Sequence, residues 1–387
     1  MIIFWASFFL LFYVYAGYFL VLYALTWVLE KKPEGINDGR VALPSISVII
    51  AAYNEELDIS CRIENLLALN YPKDKLEILI ASDGSNDQTV SKACQFSDQR
   101  LRILEYPIQR GRAAVHNDSV AEAKNEILVF SDAGSEFSGE FLMLVGEHFS
   151  ANSNVGFVVG NLVFRKSKSV VGLSSMIYWK FETALRRMEN RLGILSTASG
   201  SCMAVRKQLW QNLGKTDDVD FVTPLQVVSM GYRVAYLEKA IAYDDVPDGS
   251  SFQNQFRVRV RMTSKNLMGT LGAWRLAEWF KHPMVTWGLF SHKIFRWLFP
   301  YFFLISYFSC FFLLSEGLIY KCVFAVETGV ILLVCIGCIA ELKNQRIPVA
   351  SHLFSFSVAN AGMAIGVVKS LMGRAPAIYD NKENARD

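Results

Sequence analysis

The sequence predicts an α/β domain on a mostly parallel sheet, carried between one amino-terminal and about three carboxyl-terminal membrane helices. Three observations predict it. Apolar residues make up 52% of the 387-residue chain and collect at its two ends, leaving roughly 33–270 with the composition of an ordinary soluble domain. Within that stretch short β-branched runs alternate with helical segments, the pattern of a parallel sheet covered on both faces. Acidic residues follow the strands directly, at the end of such a sheet where ligands collect.

Residues 1–29 carry no charge and exceed the ~20 residues needed to cross a hydrocarbon core. They are read as a membrane helix. A cleaved leader lacks support: there is no basic start, and no small-residue cleavage site precedes Glu30-Lys31-Lys32. Lys31, Lys32 and Arg40 place the following domain, 30–270, in the cytoplasm by the positive-inside bias. Residues 271–296 mix Trp, Phe, Lys, His and Arg and read as a helix lying in the interface. Three spans follow within 297–373, and 374–387 is a polar tail. The chain is therefore expected in a cell (inner) membrane, crossing it several times, with its carboxyl terminus outside.

The soluble part reads in order. Ser45–Ala52 is a buried strand closed by the polar Tyr53-Asn54-Glu55-Glu56. A helix follows, then strand Leu76–Ser82, the turn Asp83-Gly84-Ser85-Asn86-Asp87 and a capped helix to about Phe96. Leu101–Glu105 is a third strand, 112–124 a helix, and Glu126–Ser131 a fourth strand ending at Asp132. This order places Tyr53, Glu55, Asp83 and Asp132 at one edge. Asp83 and Asp132 offer hard oxygen acceptors for a base, a ribose hydroxyl or a divalent cation, although Asp83-Gly84 also suits an ordinary turn. Arg112 after Gly111 either meets a phosphate or opens a helix.

Other features carry less. A net charge of +3 without a basic, aromatic-interleaved stripe gives no sign of nucleic-acid binding. Cys335 and Cys338 sit in an apolar span without companion ligands and read as helix packing. The five histidines lack paired ligand spacing, so no zinc site is assigned. Glu182, Arg186, Arg187 and Glu189 read as a solvated or interface-facing helix surface.

Taken in order, SVIIAAYNEE, ASDGSNDQT, GRAAVHN and VFSDAG resemble the motifs of the membrane-bound family 2 glycosyltransferases, which include cellulose, hyaluronan and poly-N-acetylglucosamine synthases and ceramide glucosyltransferases. The resemblance continues through Gly200-Ser201-Cys202-Met203-Ala204-Val205-Arg206, Asp220-Phe221 and Gly231-Tyr232-Arg233-Val234 to the SHKIFRWLFP segment. It implies a GT-A nucleotide-binding fold and sugar transfer from a UDP-sugar to a polysaccharide or lipid-linked acceptor, in cell-envelope or glycolipid synthesis. By the same resemblance Tyr53, Glu55 and Asp83 hold uracil and ribose, and Arg112 lies near base or diphosphate. Asp132 faces the ribose and a Mg²⁺ or Mn²⁺ ion, Gly200, Ser201 and Cys202 underlie the acceptor, and Asp220 is the general base, with Asp217 and Asp218 close by in sequence. One base without a nucleophile implies an inverting single displacement.

The chain departs from that pattern twice. Gly134 stands where a second acidic residue usually completes the metal motif, so Asp132, diphosphate oxygens and water are left to hold the ion. The Gln-x-x-Arg-Trp motif of polymer synthases is missing. Arg257 and Arg261, one helical turn apart, offer a face for diphosphate or lipid headgroups, or simply a basic interfacial surface. A processive polymerase is thereby weakened in favour of transfer of one or a few sugars. The rival reading is a catalytically silent, nucleotide-binding subunit of a polysaccharide assembly complex. Export or assembly subunits are the further partners either reading implies.

Overall fold

A computed structural model describes residues 1–29, 42–165, 170–245 and 251–374. The basic residues used for orientation (Lys31, Lys32, Arg40) and the polar tail from residue 375 lie outside the described residues. The first helix, α1, is Ile2–Leu29. The domain then runs β1 (Ile46–Ala52), α2 (Ile59–Leu67), β2 (Leu76–Asp83), α3 (Thr89–Ala93), β3 (Leu101–Tyr106), α4 (Arg112–Glu122), β4 (Ile127–Ser131) and β5 (Glu136–Phe137). It continues through α5 (Phe141–Ala151), β6 (Val155–Phe164), α6 (Val170–Leu192), β7 (Met203–Arg206), α7 (Val219–Ser229), β8 (Arg233–Asp244) and α8 (Phe252–Ala273).

The strands form one sheet in the order β3-β2-β1-β4-β7-β6-β8-β5. Alternation along the central strands divides the core in two. Val48, Ile50, Ile78, Ile80 and Val129 face α2 and α5, whereas Ile49, Leu79, Leu128 and Phe130 face α4 and α7. Pairings β1·β2, β1·β4, β2·β3 and β6·β8 are parallel, while β4·β7, β6·β7 and β5·β8 are antiparallel. The parallel half is the one whose βα alternation is plain in the sequence. Beyond Asp132 the sheet becomes mixed, because β7 inserts antiparallel between β4 and β6.

Among the described residues four helices are long and apolar enough to cross a membrane: α1, α10 (Pro283–Phe312), α11 (Leu318–Leu342) and α12 (Pro348–Leu371). Leu332 and Ile339 of α11 are 58% and 53% exposed, so this apolar surface faces outward and suits lipid rather than water. The structure differs from the expected interfacial helix over 271–296. A short helix, α9 (Leu276–Lys281), ends at His282, and the next helix starts at Pro283 and runs without a break into the span. Pro283 is the physical reason: it cannot donate to a continuing helix but suits the first turn of a new one. Leu276 and Phe280 remain exposed beside Arg275 and Lys281, an interfacial composition confined to α9.

Helix α12 packs against α8 through Gly362 and Gly366, where an added Cβ would lie 2.8 Å from Arg259 Cβ and 2.7 Å from Thr263 Cβ. These small residues thus dock an apolar helix closely onto the domain's last helix.

Candidate active site

The loops after β1, β2 and β4, the segment before β7 and the first turn of α7 meet at the carboxyl edge of the sheet. The loop after β1 is locked to the one after β2: Asn54 N–H donates to Ser85 Oγ at 3.1 Å, Asn86 N–H to Asn54 Oδ1 at 2.9 Å, and Glu55 N–H to Thr89 Oγ1 at 2.8 Å. Tyr53 and Glu55 ride on this paired loop, both half-buried.

Asp83 is buried, and its two oxygens accept the backbone N–H groups of Arg110 and Gly111, each at 2.8 Å. Its carboxylate therefore builds the loop that leads to Arg112, a task the sequence reading did not assign it. The turn tolerates no side chain at Gly84. Its φ is +72°, and a Cβ there would meet Gln109 N at 2.6 Å.

Arg112 starts α4 and forms an ion pair with Asp132, which directly follows β4. Both side chains stay about one third exposed, so the pair faces an open mouth. Gly200 lies beneath the Arg112 guanidinium, 3.5 Å from Nη2 to an ideal Cβ position. Ser201 Oγ donates to Asp132 Oδ2 at 2.7 Å, and Ser131 Oγ donates to the Ser201 carbonyl at 2.7 Å. Cys202, by contrast, is fully buried beneath the site, and burial pushes its thiol up to about 12. It packs the floor and offers no group to a ligand.

Asp220 lies in the first turn of α7, with its carbonyl accepting the Ala198 N–H at 2.9 Å. Desolvation, then the neighbouring Asp218, push its carboxyl up to about 6, while Arg112 pulls the other way. A carboxyl titrating there is ionised at neutral pH yet basic enough to accept a proton. The structure thus gathers Arg112, Asp132, Gly200, Ser201 and Asp220, and joins Asp83 to them through the 110–111 loop. Arg257 is exposed and Arg261 half-buried on α8.

Three residues near the site were missed in the sequence. Lys265 pairs with Asp218 at 2.8 Å, extending the Arg257–Arg261 spacing by one more turn, which was the available signal. Asp244 ends β8 beside the Asp132 turn, with Ser135 Oγ at 3.3 Å from Oδ2; burial and then Asp132 raise its carboxyl to about 7. Arg62 lies buried below, donating to Ser131 Oγ at 2.8 Å. The placing of Asp244 and Arg62 depends on long-range pairing that local pattern does not reveal. Among the described residues no group of three or more His, Cys, Asp or Glu side chains forms a metal cage. The oxygen donors of Asp132 suit a hard divalent cation that takes its remaining ligands from diphosphate and water.

Residues 47–214 match the model of glycosyl transferase family 2. Poly-beta-1,6-N-acetyl-D-glucosamine synthase of Staphylococcus epidermidis is 25% identical over 253 residues, 62% of this chain and 61% of the relative. The synthase of the same description from Staphylococcus aureus (strain COL) is 28% identical over 238 residues, 60% of this chain and 56% of the relative. The matched stretch thus spans about three fifths of these relatives' length. In three dimensions the chain resembles the mannosyltransferase PcManGT from Pyrobaculum calidifontis with a TM-score of 0.69, over 95% of this chain and 98% of that one, at 19% identity. The family match lies on the sheet half that builds the Asp83, Arg112 and Asp132 positions, and the chain carries a glycosyl transferase family 2 domain with the GT-A fold.

Proposed function

We propose that this chain transfers a hexose or N-acetylhexosamine from a UDP-sugar to a polysaccharide or lipid-linked acceptor at the membrane, with inversion. The observation that carries the reading is that Asp220, in the first turn of α7, accepts through its carbonyl the N–H of Ala198, in the segment whose Ser201 donates to the Asp132 carboxylate paired with Arg112. The two sides divide the labour: one handles the leaving diphosphate, the other the attacking hydroxyl. Tyr53 and Glu55 hold the uracil and ribose, and Asp83 fixes the loop that presents Arg112. Arg112 meets the diphosphate and Asp132 the ribose and metal. Ser201 orients Asp132 while Gly200 leaves space above the floor, and the acceptor lies over this segment with its hydroxyl towards Asp220. Arg257 and Arg261 attract diphosphate or lipid headgroups towards α8.

Asp220 takes the proton from the acceptor hydroxyl as that oxygen attacks the anomeric carbon, and the bond to the diphosphate breaks on the opposite face. A bound Mg²⁺ or Mn²⁺ supplies charge neutralisation at the diphosphate, and Asp132 is the residue that would hold it. Membrane residence is supported by the four apolar helices, and the basic residues Lys31, Lys32 and Arg40 of the sequence favour a cytoplasmic domain by the positive-inside bias. The similar synthases are named for a poly-N-acetylglucosamine product, which supports an N-acetylhexosamine donor. PcManGT is described in complex with GDP-Man and Mn2+, so GDP-mannose belongs in any donor panel.

The reading is tested by measuring nucleoside diphosphate release from UDP-sugars and GDP-mannose by the full chain in nanodiscs, with Mg²⁺, Mn²⁺ or chelator. Sugar-dependent release with a UDP-sugar supports it. Nucleotide binding without release from any donor supports instead the silent-subunit reading, for which Gly134 is the observation.

A further inference from the structure

One group of buried charges has no part in the reading above, and it includes Glu182, Arg186 and Glu189, which the sequence reads as a solvated or interface-facing helix surface. Glu182 of α6 is 1% exposed and lies among three cations and an imidazole. Its carboxylate accepts from Arg296 Nη1 at 2.8 Å and from Lys293 Nζ, faces His292 Nε2 at 3.0 Å, and has Arg186 Nη2 at 3.5 Å. The other ring nitrogen of His292 lies 2.7 Å from Glu189, which also accepts the Tyr18 hydroxyl at 2.8 Å. Burial opposes the charge on Glu182, but His292, Lys293 and Arg296 outweigh it and hold its carboxyl well below the usual range. The sequence reading failed here because α10 supplies the partners from more than a hundred residues away.

This node joins three elements. Tyr18 belongs to α1, Glu182, Arg186 and Glu189 to α6, and His292, Lys293 and Arg296 to α10. Where they meet, both apolar helices carry a wider π-helical turn, Tyr13–Gly17 and Phe290–Ile294, and Tyr13 Oη lies 2.8 Å from Ser291 Oγ.

Two arms lead from the node to the site. Arg186 Nη2 donates to the Ala198 carbonyl at 2.9 Å, and the Ala198 N–H donates to the Asp220 carbonyl. Lys293 Nζ sits 5.8 Å from the centre of the Phe221 ring, next to Asp220, and Phe221 packs with Leu267, Trp297, Met363 and Val367. Both the segment before β7 and the first turn of α7 are therefore held against the apolar helices by the same carboxylate.

We propose that Glu182 is a positioning residue for sugar transfer, which through Arg186 and Lys293 sets the Ala198–Cys202 segment and Asp220 relative to the apolar helices. The inference rests on the reading of Asp220 as the base. A misplacement of about 1 Å at such a group costs on the order of a hundredfold in rate, whereas the donor side, built from the β1, β2 and β4 loops, stays as it is.

The test uses the full chain in nanodiscs with Glu182→Gln, Glu182→Asp, Lys293→Met and Arg186→Lys, measuring kcat, donor KM, donor affinity by calorimetry and thermal midpoint. The proposal expects Glu182→Gln and Lys293→Met to lower kcat about tenfold or more, with donor KM and Kd within about threefold of the parent, and Glu182→Asp to recover part of the loss. If Glu182→Gln does not fold, Lys293→Met and Arg186→Lys decide by the same split. A kcat within about twofold of the parent in the folded variants overturns the proposal, as does a fall of kcat and donor affinity together. Asp220→Asn run alongside separates the two readings: parental turnover in that variant sinks the base assignment, while the kcat split still decides whether Glu182 positions the segment.

Discussion

The Ser201 hydroxyl lies 2.7 Å from Asp132 Oδ2 and ties the antiparallel half of the sheet to the parallel half at its ligand-facing edge. Asp132 directly follows β4, and Ser201 precedes β7, the strand that pairs antiparallel with β4. Because Ser131 bonds back to the Ser201 carbonyl, the two segments hold one another in register, and Arg112 is presented across both. The two halves of the sheet thus share one carboxylate.

Titration of Asp220 sets the pH dependence. A base raised to about 6 must be ionised to accept a proton, so kcat/KM rises between about pH 5 and 7 with a half-maximum near 6. Stability runs the opposite way. The folded state keeps this proton to a higher pH than the unfolded chain, whose aspartate titrates near ~3.9, so stability falls as pH rises from about 4 to 6. Asp220→Asn is therefore expected to add stability on the order of 1 kcal/mol at pH 7.5 after solvent screening, read as a higher thermal midpoint, and less at pH 4.5.

Arg112→Ala is expected to weaken donor binding by about 10- to 100-fold, the range of a charge-assisted hydrogen bond lost. Arg112→Lys keeps the charge but not the planar fork over Gly200, so it falls between parent and alanine variant. Calorimetry with UDP and with the UDP-sugar measures both; equal binding in all three proteins would remove Arg112 from the site.

Gly84→Ala combines a positive φ with a Cβ placed 2.6 Å from Gln109 N and 2.7 Å from Ile108 C. A cost of about 1–3 kcal/mol is expected, read as a fall in thermal midpoint. The 108–111 loop gives way with it, so donor affinity also drops. A neutral substitution would mean that the turn relaxes freely.

Metal use should reflect the single acidic residue of Asp132-Ala133-Gly134. Mn²⁺ binding followed by its electron paramagnetic resonance is expected to be weak alone, to tighten with UDP and to be lost in Asp132→Asn. Tight, nucleotide-independent binding that survives in Asp132→Asn would place the ion elsewhere.

What the sequence made legible follows from the range of the forces involved. Strands β1 to β4 were readable to within a residue or two, because alternating βα units leave local signatures: β-branched runs, then Asp83 or Asp132 where the strand ends. The edge shared by Asp83 and Asp132 was implied by the same units. The β6, β7 and β8 arrangement was not, since antiparallel insertion is decided by tertiary packing. Glu182 shows the same limit more sharply. On helical periodicity alone a Glu-x-x-x-Arg pair looks solvated, and only His292, Lys293 and Arg296 arriving from α10 make it a buried node. Asp83 was assigned to ligand, whereas its oxygens are already engaged by the 110–111 backbone.

The most direct test of the account compares sugar-dependent UDP release by the parent and by Asp220→Asn, each with its donor affinity measured. The account expects turnover to fall by about 10² or more while UDP-sugar still binds within a few-fold of the parent. Turnover in Asp220→Asn equal to the parent's would contradict it and move the base to another carboxylate, with Asp218 first to be replaced.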